Sequence, residues 1–156
     1  MTQKSLLPEG PAIATTTASD DSNRRRHECP RFRPASAQGF PAEILIEALR
    51  GERVQLCVSA DIYAEYEEVI RRPRFKRSEW EVDGALRAIR EQALWVKPSQ
   101  RIRACSDPDD DIFLECAQAA KAHFLVTGNL KHFPSSWADT KIVTARQLVD
   151  VLAHFK

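Results

Sequence analysis

Nothing in this sequence of 156 residues approaches the apolar length of a membrane span. Met1 to Gly10 lacks the apolar core of a signal peptide, so a cytoplasmic protein with no membrane partner is expected. Cys29, Cys57, Cys105 and Cys116 show no CxxC spacing and have no paired histidines, which argues against zinc. Cys57 falls in an expected strand and Cys116 in an expected helix, and both read as buried thiols. There is no internal repeat. A net charge of +1 gives no global basic field, so any binding of nucleic acid has to come from a local patch. What is present is an ordinary globular composition, 43% hydrophobic and 29% charged, in a chain long enough for one domain with a real core.

The chain divides at Phe40. Residues 1–39 sustain no hydrophobic period. Thr15 to Ser22 is small and polar, Arg24 to His27 is basic, and prolines punctuate the stretch, so it reads as poorly ordered. The basic run can touch nucleic acid or simply be solvated. Residues 40–156 read as alternating helices and strands. Pro41 to Arg50 is an expected helix, with Pro at its start and Gly51 just past its end. Val54 to Ser59 is an expected strand, and Ala60 to Arg72 a helix with Ile62, Tyr66, Val69 and Ile70 on one stripe. Ser78 to Leu94 is a helix opened by a Ser78–Glu81 capping box. Short strands are expected at Leu94 to Val96 and Lys141 to Val143, and a last helix at Ala145 to His154. This alternation predicts a three-layer α/β/α sandwich on a parallel sheet.

The informative stretch is Ser106 to Phe133, SDPDDDIFLECAQAAKAHFLVTGNLKHF. Asp107, Asp109, Asp110 and Asp111 stand at the mouth of an expected helix, with Asp107 suited to cap it and Pro108 to its first position. Four acids exceed what a cap needs. They repel one another unless a cation sits among them, and carboxylate oxygens suit Mg²⁺ or Mn²⁺. His123 to Thr127 reads as a buried parallel strand ending at Gly128-Asn129. Ligands of open α/β sheets bind beyond the carboxyl ends of strands, so Thr127, Asn129 and the acids are expected at one cleft. An acidic cap followed by a turn, with no chemistry, is the other reading. Glu65 is the further acid of interest, because the helix after a strand can lean it over the same edge. A surface glutamate is the alternative there. Asp61 reads as a helix cap.

SADIYAEYEEVIRRPRF, then SDPDDDIFLECAQAAKAHFLVTGNLKHFP, then IVTARQLVDVL resembles the PIN domain, and within it the toxin components of bacterial toxin–antitoxin pairs. The resemblance runs from Phe40 to the C-terminus. It implies a metal-dependent endoribonuclease that hydrolyses phosphodiester bonds of single-stranded RNA with Mg²⁺ or Mn²⁺. A cognate antitoxin protein is its implied partner, and a homodimer is compatible with it. Carried over, Glu65 matches the family's helical glutamate and Asp110 its central aspartate, both as catalytic and metal-binding residues. Asp107 matches an acid of the DPxD turn, as a further metal ligand. Asn129 stands where many members have an aspartate and is assigned to catalysis. Thr127 and His132 flank it as substrate contacts. Arg72 and Arg74, within a basic run beside Phe75, are expected to hold an RNA backbone, unless that run is only a solvated helix end.

The chain departs from this pattern at its start. The family opens with a hydrophobic strand at the sheet centre. That strand ends in an aspartate that is usually the chief metal ligand, followed by Thr-Asn-Val. Arginines, prolines and a histidine precede Phe40 instead. Asp20 and Asp21 have no apolar run ahead of them. The codons CGT-CGT-CGA-CAC-GAA-TGT-CCT-CGT-TTC are legal for Arg24 to Phe32. Read one base later, with the C that opens an Arg33 codon, they give VVDTNVLVS, the missing strand and motif. Out-of-frame translation up to about Pro34, with the frame restored just before Ser36, is therefore expected. A sheet without its central strand leaves unpaired backbone and an apolar gap, which another part of the N-terminal segment is expected to fill. Low stability and weak or absent nuclease activity follow. The alternative function is a non-catalytic PIN-like remnant that binds a partner protein or RNA.

Overall fold

The computed structural model describes residues 13–17, 54–73 and 76–154. The expected helix over 41–50, Cys29, Arg74 and Phe75 lie outside the described residues. In chain order the described elements are β1 (Ile13–Thr17), β2 (Val54–Val58), α1 (Ala60–Ile70), α2 (Glu79–Gln92) and β3 (Leu94–Trp95). A 3₁₀ turn (Pro108–Asp110) leads into α3 (Asp111–Ala120), then β4 (Phe124–Val126). A second 3₁₀ turn (Leu130–His132) precedes β5 (Ser136–Trp137), β6 (Thr140–Val143) and α4 (Ala145–His154). None of these helices is long and apolar enough to cross a membrane.

The strands form one mixed sheet in the order β3-β2-β1-β4-β6-β5. β2 pairs with β3 in parallel, and β4 with β6 in parallel. β1 lies between β2 and β4 and runs antiparallel to both, so β3, β2, β4 and β6 share one direction. The parallel sheet expected from the sequence is present in the β2–β3 and β4–β6 pairs, with an antiparallel strand at its centre and another at one edge. At that edge, β5 and β6 make an antiparallel hairpin. No hairpin was expected there, because two residues are too few for a period to show.

β1 lies within the segment expected to be poorly ordered. Ile-Ala-Thr-Thr-Thr is rich in β-branched residues, which suit a pleated surface. A central position offers it hydrogen-bonding partners on both sides, which is enough to draw in a strand without an apolar run.

Local chemistry sets the helix starts. Ser59, extended and buried, accepts from the Ile62 N–H at 3.4 Å and caps α1. Asp61 therefore lies in the first turn rather than at the cap, and its carboxylate is 3.6 Å from Arg101. Ser78 and Glu81 form the expected capping box of α2. Asp107 accepts from the Asp109 N–H at 3.1 Å, and Pro108 opens the 3₁₀ turn that runs into α3. Leu56, Ile62, Leu114, Leu125 and Leu148 are fully buried in a single core. Each contributes roughly 1.5–3 kcal/mol relative to exposure. Cys57 and Cys116 are buried thiols in it, as the sequence implies. Helix α3 packs across β1, β2 and β4 and against α1.

Candidate functional site

Chain direction builds the site. β2 and β4 run the same way, so their carboxyl ends, with Ser59 and Thr127 just beyond, open on one rim. Thr127 is buried, and its N–H donates to Val143 O at 2.9 Å, which extends the β4–β6 pairing by one step. Its hydroxyl accepts the Asn129 N–H at 3.1 Å and shapes the turn. Thr127 therefore supports the turn at the rim from beneath. The Asn129 side-chain nitrogen is 2.9 Å from His132 Nε2, and His132 Nδ1 is 2.8 Å from Asp110 Oδ2. An amide nitrogen can only donate, so Nε2 accepts. Nδ1 then carries the proton and donates to Asp110. Ser106 N–H donates to His132 O at 2.9 Å, which ties the acidic loop to the same turn. Asp107, Asp110 and His132 bring one ligand atom each within 4.8 Å of one another.

Glu65, in the middle of α1, lies close enough to feel the charges of Asp109 and Asp110. Burial raises its carboxyl pKa, and Glu68 raises it further. Arg72 opposes the rise, while Asp109 and Asp110 add to it. Burial also raises Asp110. The His132 hydrogen bond and its field pull the other way, and Asp107 and Asp109 push up again, leaving Asp110 above its ordinary value. Two carboxyls that resist ionising beside further acids form a site short of positive charge, the condition a bound cation relieves. Oδ2 of Asp110 serves the imidazole and Oδ1 of Asp107 serves the backbone, so each carboxylate keeps a second oxygen for an ion. Asp107 and Asp110 thus offer carboxylate oxygens that suit a hard divalent cation, and His132 lies within reach of the same point and hydrogen-bonds Asp110.

The neighbouring acids do different work. Asp111 is buried, and burial alone would raise its pKa. The N–H groups of Ala104 and Cys105, at 3.0 and 2.9 Å from Oδ1, bring it below the ordinary range instead. Glu115, one turn on and also buried, accepts from the Ile102 N–H at 3.0 Å and from Arg101 at 3.2 Å. Together they staple residues 101–105 to α3. Burial pushes the Cys105 thiol up to about 12, so it stays protonated and is no nucleophile.

The expected RNA contacts are less well placed. Arg72 pairs with Glu68 at 3.0 Å, and Arg71 is shared among Glu67, Glu79 and Asp83. Arg74 lies outside the described residues. The larger surface cleft, lined by Asp61, Trp95, Arg101 and Glu115 among others, includes neither Glu65 nor Asp110.

Of the residues singled out in the sequence, Asp107, Asp110 and His132 bring ligand atoms together and Asn129 reaches His132, whereas Glu65 makes no direct contact with them. Sequence reasoning missed the hydrogen-bonded chain through His132, whose only trace is a histidine three residues after Asn129. It also missed the structural duty of Asp111 and Glu115. Their spacing of four residues on an otherwise apolar helix face was the available signal.

The structure is an α/β sheet with acids clustered beyond the carboxyl ends of its strands, an arrangement that could hold a metal ion. The sequence pattern of the PIN domain matches residues 35–131, more than half of the chain, and the protein belongs to the PIN domain family. No curated protein and no solved structure matches it.

Proposed function

We propose that the chain is a toxin-type endoribonuclease hydrolysing phosphodiester bonds of single-stranded RNA, with a small antitoxin as its partner. The observation that carries this reading is the cluster of Asp107, Asp110 and His132, whose ligand atoms lie within 4.8 Å of one another beyond the carboxyl end of β4. Glu65, far away in sequence, is close enough to feel the charge of Asp110, and burial raises the carboxyl pKa of both. Asp107, Asp110 and Glu65 would hold Mg²⁺ or Mn²⁺. When bound, such an ion lowers the pKa of a water and stabilises charge on the scissile phosphate. The chain's own residues prepare the edge. Asn129 fixes the His132 tautomer, His132 orients Asp110, and the buried Thr127 hydroxyl shapes the turn that presents them.

A second reading, a non-catalytic PIN-like remnant, is favoured by one observation. β1 is antiparallel, so its carboxyl end, Thr17, pairs with Val54 at the rim opposite the acids. The carboxyl end of β1 therefore delivers no side chain of its own to the acid rim. An assay of single-stranded RNA with Mn²⁺ separates the readings. The nuclease reading expects cleavage that Asp110→Ala abolishes and Asp111→Ala leaves in place for the folded fraction. Cleavage indifferent to Asp110→Ala would remove the site.

A further inference from the structure

We infer that the central strand position belongs to nine residues encoded one base on from Arg24–Phe32, and that Ile13–Thr17 occupies it in their place. The inference rests partly on the family reading and partly on the sheet itself. Four of the six strands share one direction, and the two beside the centre, β2 and β4, are parallel to each other. A strand between parallel neighbours in an α/β domain is ordinarily parallel as well, and is buried on both faces. β1 is neither parallel nor apolar. Its central residue, Thr15, lies opposite Leu56 on one side and Phe124 on the other. The Thr15 hydroxyl is buried with no hydrogen-bond partner among the described residues. An orphaned hydroxyl at the centre of a core marks a poor occupant.

The shifted reading supplies what the position demands. A one-base shift fixes the first base of each new codon by the written residue and the third by the residue after it, apart from the C or A that can open an arginine codon, and leaves the middle base to wobble. An arginine codon CGN followed by C can then give only Val, Ala, Asp or Gly. The run Arg24-Arg25-Arg26 is therefore compatible with Val-Val-Asp, and the nine codons with VVDTNVLVS. Val-Val and Val-Leu-Val are β-branched or apolar, as a two-sided buried strand requires. The stretch from Phe32 to Val54 is long enough for the crossover of a dozen or more residues that a parallel connection needs. A parallel strand would exit at the acid rim, and its aspartate would join Glu65 and Asp110, which β1 cannot do. The family match begins at residue 35, directly after this segment.

Two experiments decide the matter. The first is sequencing of the coding DNA from Thr15 to Gly39. The expected result is that the third bases of the Arg24–Phe32 codons yield VVDTNVLVS in the next frame. Any third base that breaks the apolar run or removes its aspartate overturns the inference.

The second compares the chain as written with a full-length chain carrying VVDTNVLVS in place of Arg24–Phe32. Without metal, the thermal midpoint of the restored chain should rise by on the order of 5 °C. In calorimetry, Mn²⁺ should bind at least about tenfold more tightly. Thr15→Lys should lower the midpoint of the written chain and leave that of the restored chain unchanged. An unchanged midpoint on restoration, or equal damage from Thr15→Lys in both chains, overturns the strand assignment whatever the enzymatic activity. A raised midpoint without RNA cleavage upholds it and rejects the nuclease reading alone.

Discussion

Asp110 and Asp111 are neighbours in sequence with opposite environments. Asp111 accepts two backbone N–H groups and is held below the ordinary carboxylate range, whereas Asp110 is held above it. Asp111→Ala should cost roughly 2 kcal/mol, read from urea unfolding, because it strands the N–H groups of Ala104 and Cys105. Its effect on Mn²⁺ affinity of the folded protein should be negligible. Asp110→Asn should do the reverse. Calorimetry should show lost Mn²⁺ binding, while the metal-free midpoint at neutral pH rises because one member of a repelling cluster is neutral. A fall in that midpoint would show that Asp110 is a structural acid after all. His132→Ala should weaken Mn²⁺ binding about tenfold by freeing Asp110 to rotate, with little change in midpoint, since the imidazole is only partly buried.

At the scale of elements, α1 matters because it carries Glu65. Its entry is fixed by Ser59, which is buried and caps the helix. Ser59→Ala should cost about 1 kcal/mol in chemical unfolding. It should also weaken Mn²⁺ binding, through the loosened first turn, whereas Ser78→Ala at the start of α2 should leave binding alone. Equal effects on binding from the two substitutions would argue that α1 plays no part in the site. The α1, α2 and α4 boundaries were legible because caps, a capping box and apolar stripes are local signals, and α4 falls on Ala145–His154 as read. The start of α3 was only half legible. Three consecutive aspartates point in directions about 100° apart on a helix, and nothing local says which faces the core. The docking of residues 101–105 onto α3 decides it.

For the whole molecule, charge balance predicts an unusual pH response. Glu65 and Asp110 bind protons more tightly in the folded chain than in the unfolded one. Their protonated forms favour folding below the ordinary carboxylate pKa, and that benefit is lost as pH rises through their raised folded values. Asp111 and Glu81 act oppositely. Their contribution is present above the ordinary carboxylate pKa and is lost as pH falls through their lowered folded values. The metal-free protein should therefore gain stability on moving from neutral to mildly acidic pH, and lose it again at lower pH. Asp110→Asn should flatten the rise. Mn²⁺ at about a hundredfold excess over its dissociation constant should add about 2.7 kcal/mol at neutral pH, reversed by a chelator. Thermal midpoints across pH, with and without Mn²⁺, check each part. A midpoint insensitive to Mn²⁺ would leave the rim without an ion.

The sequence by itself determined the class of fold, the order of most elements from Val54 onward and the acids worth watching. Those depend on period, caps and composition, which act within a few residues. Only the tertiary structure decided that Asp110 meets His132 while Asp111 faces the backbone, that the Thr127 hydroxyl is spent on the turn, and that His132 bridges Asn129 and Asp110. It also decided that an antiparallel Ile13–Thr17 fills the sheet centre. The physical reason is the same in each case. Direction, burial and pairing are settled between segments that meet only after the chain has folded, and no local signal records which partner will be there.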